Sequence, residues 1–180
     1  MSKNMVPVGG DKLDNDLHSL KSDDKAYIRF INKTDRTIEL VWINFKGEYW
    51  RYQVLRKDEY IDVNTYKTHP WMALDQITKD RMHVDSKFLF LPKTSAEYLQ
   101  ERYPDKIVPE HYEMRMRVYV TLPLYSLKYA ALLSIRNQLR NTEDADVLEL
   151  PRELIEELKR TINHRKHMCS TVRKLHVSTR

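Results

Sequence analysis

Cysteine and glycine are scarce in this chain of 180 residues. The single cysteine, Cys169, excludes an internal disulfide framework and a zinc site built from several cysteines, as is typical of a protein from a reducing compartment. Two of the three glycines are Gly9 and Gly10. The sequence therefore contains neither a glycine-rich loop to hold phosphate groups nor a P-loop.

Long apolar runs are also missing. No run approaches the roughly 20 apolar residues that a membrane span requires, and residues 1–25 lack the apolar segment of a signal peptide. We therefore expect a protein with no membrane partner, located in the cytoplasm and the nucleus.

Catalytic motifs are absent too, since the chain has no HExxH sequence and no GxSxG sequence. His164 and His167 lie three residues apart on a predicted helix, but no third ligand of suitable type accompanies them. We expect no metal site and no cofactor, and an enzyme is disfavoured.

Acidic residues are missing from the end of the chain, although the protein as a whole contains 26 of them and has a net charge of +5. Residues 159–180 are basic without a single Asp or Glu. A solvated tail is one interpretation of this segment. The alternatives are a nuclear localisation signal and a nucleic-acid-binding β-domain protein that uses the basic tail as a contact surface.

Short runs rich in β-branched and aromatic residues predict strands at residues 26–32, 36–45, 48–55, 59–66, 87–92 and 112–122. In the last of them, residues 112–122, apolar and polar side chains alternate as in a half-buried antiparallel strand. Gly47 lies where a tight turn between two runs requires a positive φ. Six or seven such strands predict an antiparallel β-sandwich.

The pattern changes to helical spacing after Pro123. Ser126 is placed to cap one helix, and Pro151 begins a second. The predicted fold class is α+β, an N-terminal antiparallel β-sandwich followed by a small C-terminal helical domain. The predicted boundaries are a flexible leader over 1–24, the β-sandwich over 25–123, the helical domain over 124–168 and a basic tail over 169–180.

Aromatic and polar side chains gather on the predicted sandwich at Trp42, Tyr52, Tyr66 and Trp71, with Thr65 and His69 beside the last two. Both tryptophans are of a kind that fills a core. The same mixture also suits a pocket that packs on an apolar ring and fixes one polar substituent. Residue types alone leave both interpretations open.

Three motifs give the chain a specific likeness. "VWINFKGE", "TYKTHPW" and "TLPLYSLK" stand at the separations found in the von Hippel-Lindau family, which the chain resembles in register from about Ala26 to Leu91 and again from Val118. The resemblance implies a non-catalytic substrate receptor of a cullin-based ubiquitin ligase. Its expected ligand is a 4-hydroxyproline-containing segment of the alpha subunit of a hypoxia-inducible transcription factor.

The resemblance also implies which residues bind that peptide. Matched position by position, the expected peptide-binding residues are Trp42, Tyr52, Asn64, Thr65, Tyr66, His69 and Trp71. Thr65 and His69 are expected to exchange hydrogen bonds with the prolyl hydroxyl, and the aromatic rings to enclose the pyrrolidine.

The helices are expected to carry the ligase partners. Residues of the first helix resemble a box that docks on elongin C, which binds together with elongin B: Ser126, Leu127, Ala131, Leu132, Ile135 and Arg136. Residues Leu150, Pro151 and Leu154 resemble a box that selects a cullin and its RING protein, although Pro151 is equally explained as a helix start.

Departures from the family pattern occur at Asn64, where the family has His, at Gln53, where it has Pro, and at Ala131, where it has Cys. Asn64 keeps the ability to donate and accept hydrogen bonds, so we expect altered contacts beside an intact pocket. The connection over 93–111 is longer than in the family, and we expect at most one helical turn in it.

Overall fold

A computed structural model describes residues 17–107, 109 and 112–174 of the chain. These residues form two compact units, one containing residues 17–123 with the last residues of the described chain, the other containing residues 124–171. No helix among the described residues is long and apolar enough to cross a membrane.

The first unit is built from eight strands. Their bounds are β1 Lys25–Asn32, β2 Ile38–Ile43, β3 Tyr49–Leu55, β4 Tyr60–Tyr66, β5 Trp71–Asp75, β6 Arg81–Val84, β7 Arg115–Thr121 and β8 Arg173–Lys174. Hydrogen bonding gives the order β4-β1-β7-β6-β5-β2-β3-β8. Side chains from β1 to β7 share one apolar core that includes Phe30, Leu40 and Val118, so the predicted sandwich followed by helices is confirmed.

Strand direction differs from the prediction at one central pair. β7 runs antiparallel to β6 but parallel to β1, so the sandwich is mixed rather than wholly antiparallel. The alternation predicted for β7 is confirmed over its centre, where Met116, Val118 and Val120 are buried. Tyr112 and Leu122, expected on the same face, lie outside the strand and are exposed.

Two strand assignments were wrong in detail. The run at residues 87–92 forms only an isolated bridge between Phe90 and Trp71, while β5 and β6 had not been singled out as strands. β5 is buried at all five positions, and such a strand shows no alternation of apolar and polar residues. The turn between β2 and β3 is confirmed, with Gly47 at a φ of 73°.

The connection between β6 and β7 contains a complete helix, α1, over Ser95–Arg102. The Thr94 side chain accepts a hydrogen bond from the Glu97 backbone N–H, and the Glu97 carboxylate accepts one from the Thr94 backbone N–H. This capping box stabilises the first turn. The helix is longer than the single turn expected, and Tyr98 packs against the sandwich core.

The second unit consists of two helices, α2 over Leu127–Arg136 and α3 over Arg152–Thr171, with a short 3₁₀ turn at Glu143–Ala145. Its core contains Leu132, Ala145, Leu158 and Ile162. α3 continues through the predicted start of the basic tail, and Arg173–Lys174 pairs with β3. Residues 175–180 of that tail lie outside the described residues, as do residues 1–16 of the predicted leader.

Candidate functional site

Trp71 lies in the sandwich core at the start of β5 and is 2% exposed. Its indole N–H donates to the Thr65 hydroxyl oxygen across 3.1 Å, and the Tyr52 ring meets it edge-on with centroids 5.2 Å apart. Because the Thr65 oxygen accepts this bond, the Thr65 hydroxyl hydrogen is available to donate to a ligand. Trp71 therefore has a core role and also orients a polar group.

Tyr52 reaches this group through an irregularity in β3. Leu40 of β2 pairs with Gln53 and Val41 pairs with Arg51, which leaves Tyr52 without a partner in the ladder. Such a bulge redirects side chains and bends the strand. Tyr52 keeps 36% of its surface exposed, so a ligand lying against Trp71 could reach the phenol.

His69 forms the centre of a second aromatic group. Its ring lies 5.6 Å from Trp42, 5.0 Å from Tyr66 and 5.2 Å from Phe45, measured between ring centroids. Burial lowers the pKa of His69 below its ordinary value of 6.5. The imidazole is therefore neutral at pH 7, with one nitrogen that donates and one that accepts.

The two groups adjoin through the strands that carry them. Trp42 on β2 pairs directly with Trp71 on β5, so both side chains leave the same face of the sheet. Thr65 and Tyr66 are consecutive on β4, one contacting each group. Six of the seven predicted peptide-binding residues thus belong to two contacting sets at one end of the sandwich.

Asn64 is the predicted residue that does not join them. Its side chain lies on the opposite face of β4 from Thr65, because successive side chains of a strand point to opposite faces. The Arg115 guanidinium donates to its side-chain oxygen across 2.9 Å. Asn64 thus lies outside the two aromatic groups, and its contact with the peptide stays a prediction.

Two serines of the predicted leader also contact these rings, and no motif in the sequence points to them. Ser19 is 2% exposed, and its hydroxyl accepts from the Trp42 indole N–H across 2.9 Å and donates to the Ile43 carbonyl oxygen. The Ser22 hydroxyl lies 3.3 Å from His69 Nε2. Residues 17–24 therefore belong to the β domain rather than to a flexible leader.

A cavity of about 350 Å³ adjoins Trp42 on the same unit. It is lined also by Phe45 and Trp50, with Lys46 and Glu48 at its polar side. Three of its six lining residues carry aromatic rings, so an apolar side chain of a ligand would fit there.

The predicted elongin-binding face divides into exposed and buried parts. Ser126 caps α2 by accepting from the Tyr129 backbone N–H. Leu127 is 87% exposed and Ala131 is exposed as well. A large exposed leucine beside a small residue is a feature expected of a docking surface.

The remaining members of that face turn toward their own unit. Leu132 is buried in the helical core and Ile135 packs against it half-buried. Arg136 is 2% exposed and its guanidinium donates to the Asn137 side-chain oxygen. Leu132 and Arg136 therefore belong to the interior of the helical unit, and elongin binding through this helix stays a prediction.

The residues of the predicted cullin-selecting box surround the start of α3. Pro151 precedes the first helical residue, and its carbonyl oxygen accepts from the backbone N–H groups of Leu154 and Ile155. Pro151 is exposed, while Leu150 and Leu154 are half-buried. Among the described residues, no cluster of three or more metal-ligating side chains exists.

Comparison with known proteins identifies the family. The VHL beta domain model matches residues 17–98. Protein Vhl of Drosophila melanogaster is 30% identical over 149 residues, which are 83% of this chain and 74% of that protein. The chain belongs to the VHL family. The VHL beta domain match starts at residue 17, so it includes the two serines that contact Trp42 and His69.

Proposed function

We propose that this VHL-family protein is the substrate-recognition subunit of an elongin/cullin ubiquitin ligase. It binds a 4-hydroxyproline-containing degron of the alpha subunit of a hypoxia-inducible transcription factor and targets that subunit for ubiquitination and proteasomal degradation. The observation that carries the proposal is the placement of Thr65 and a neutral His69 among four aromatic rings. Family membership supports the receptor role.

The pocket would recognise its ligand by complementary polarity. The rings of Tyr52 and Trp71 offer an apolar wall to the pyrrolidine, while the Thr65 hydroxyl donates to the prolyl hydroxyl, which in turn donates to His69. Unmodified proline would leave these buried polar groups unpaired, at a cost of about 1–3 kcal/mol for each group. Binding would then report whether a hydroxylase that consumes oxygen has acted.

The peptide chain on either side of the hydroxyproline needs its own contacts. β4 is at the end of the strand order, and within the described residues its only strand partner is β1. The unpaired edge of such a strand can pair with an extended peptide through backbone hydrogen bonds. Thr65 and Tyr66 lie on this strand, so edge pairing and hydroxyl recognition can occur in one bound peptide.

The helical domain supplies the other half of the proposed role. Leu127 and the exposed Ala131 on α2 would contact elongin C, which carries elongin B. The segment Leu150–Leu154 would contribute to the choice of a cullin and its RING protein. The chain itself needs no catalytic group, because the ligase partners would transfer ubiquitin while the receptor positions the substrate.

Reconstituted ubiquitination tests the whole proposal. The full chain is mixed with elongins B and C, a cullin–RING module and a fluorescent hydroxyproline peptide bearing a lysine. We expect ubiquitin chains on that peptide and a large reduction on its unhydroxylated counterpart. Equal modification of the two peptides, or assembly without any modification, would contradict the proposed receptor role.

A further inference from the structure

A basic cavity lies within the helical unit and has no role in the proposed function. Its volume is about 570 Å³, and its walls come from the ends of α2 and α3. The lining residues are Arg136, Leu139, Arg140, Ile162, Arg165, Lys166, Cys169 and Ser170. Four of these are cationic and none is acidic. The cavity therefore combines concentrated positive charge with the apolar side chains of Leu139 and Ile162.

The protein compensates this charge only in part, because the Glu143 carboxylate attracts Lys166 through space without a direct ion pair. Within the described part of the chain, Arg140, Arg165 and Lys166 form no ion pair with a carboxylate, which distinguishes them from two lysines of the same unit. Lys128 pairs with Glu157 across 2.8 Å, and Lys159 pairs with Asp146 across 2.6 Å. Like charges converging on one concave surface repel each other, and a bound anion relieves that repulsion.

The end of α2 accounts for part of the pattern, because Arg136 lies in its last turn, whereas the last turn of α3 has no basic residue. Basic residues are favourable near a helix C-terminus, where backbone carbonyl oxygens carry partial negative charge. That preference is satisfied by charges anywhere around a helix end, including faces that point to solvent. It does not require basic side chains from both helices to line one cavity with a hydroxyl at Ser170 and no carboxylate.

We propose that this cavity binds a small polyphosphorylated ligand. Several phosphate groups would be held by the guanidinium groups of Arg140 and Arg165 together with Lys166, and guanidinium groups match phosphate oxygens in a two-point geometry. Leu139 and Ile162 would pack against the apolar part of the ligand. The volume of about 570 Å³ suits a small molecule held in an open concavity.

Calorimetric titration of the full chain with tripolyphosphate tests this assignment. Sodium sulfate at equal ionic strength serves as the control for screening, and unchanged circular dichroism shows that each variant is folded. We expect saturable binding of tripolyphosphate, a loss of at least tenfold in affinity for Arg140→Gln and for Arg165→Gln, and none for Arg160→Gln. Arg160 is exposed on α3 but does not line the cavity, so it is a matched control.

Several outcomes would overturn the proposal. Equal heats with sulfate and tripolyphosphate would show that the anions only screen charge. An equal loss of tripolyphosphate affinity in Arg160→Gln would show that net charge, and not the cavity, determines binding. Binding of a phosphopeptide without binding of tripolyphosphate would replace the small ligand with a macromolecule. Phosphatidylcholine vesicles containing a phosphatidylinositol bisphosphate form a further arm, and binding that requires the vesicle would contradict a free ligand.

Discussion

The indole N–H of Trp42 donates a hydrogen bond to the hydroxyl of Ser19, across 2.9 Å and 23 residues of sequence. The same hydroxyl donates to the carbonyl oxygen of Ile43, the next residue of β2. One buried serine therefore fixes the ring that forms a wall of the proposed pocket. It does so from a segment that contributes no strand or helix of its own.

Replacing this serine tests that relationship. We predict that Ser19→Ala lowers the free energy of unfolding by about 1–3 kcal/mol, because the buried indole N–H and the Ile43 carbonyl oxygen lose a partner. Urea unfolding gives the stability, and titration with a hydroxyproline peptide gives a reduced affinity as Trp42 becomes less ordered. Ser134→Ala, at an exposed position of α2, is the control, and an equal effect of both changes would refute the role of Ser19.

The stability of the β domain should fall in mild acid. Burial lowers the pKa of both His69 and His83, so the unfolded chain binds more protons than the folded chain below their ordinary pKa of 6.5. The free energy of unfolding should therefore decrease from about pH 7 to about pH 5.5, above the range in which most carboxylates titrate. Urea midpoints across this interval measure it, and His69→Gln should flatten the slope. A urea midpoint that rises as the pH falls would contradict the lowered pKa of the two histidines.

The capping box of α1 should determine how well ordered the connection between β6 and β7 is. Glu97 completes the capping box with Thr94 and also pairs with Lys67, next to Tyr66. Glu97→Gln keeps the side chain's shape but removes the ion pair, whereas Glu97→Ala removes both contacts at a cost of about 1 kcal/mol. Hydrogen exchange of the α1 amides should be faster in Glu97→Gln than in the wild-type chain, and fastest in Glu97→Ala. Glu101→Ala, which affects only the exposed pair with Lys93, should leave the exchange rates almost unchanged, and equal acceleration would refute a special role for Glu97.

The docking surface on α2 can be separated from peptide binding. Leu127→Asp places a charge on a side chain that is 87% exposed, so the fold should tolerate it while an apolar contact with elongin C would not. We predict loss of elongin C in co-purification with hydroxyproline peptide binding unchanged. Val147→Asp, on a valine of the same unit that is 80% exposed, should retain elongin C. Retention by both variants would refute the assignment of Leu127.

Much of this architecture could be predicted because local signals were strong. The alternation at Met116, Val118 and Val120, the turn at Gly47 and the cap at Ser126 each follow from one short segment. Trp71 and Trp42 show why residue type alone could not distinguish a core residue from a pocket residue. One is buried in the core and the other is half-buried beside His69, and no periodicity distinguishes these positions.

The failures share a physical cause, which is that long-range contacts leave no local pattern. Ser19 and Ser22 bind rings that are more than twenty residues away. The parallel pairing of β1 with β7 joins segments almost ninety residues apart, and Arg115 reaches across β1 to hold Asn64 on the outer face. Arg136 was included in the elongin-binding set through the family resemblance, and nothing in its own segment indicated that the side chain is buried in the helical unit.

The most direct measurement compares two peptides of identical sequence, one with 4-hydroxyproline and one with proline, in titrations of the full chain. The account predicts an affinity more than tenfold higher for the hydroxylated peptide, and a ratio that shrinks markedly in Thr65→Val, because the donor to the prolyl hydroxyl is gone while the side-chain volume stays. Equal affinities of the wild-type chain for the two peptides would contradict the claim that Thr65 and His69 read a single hydroxyl group.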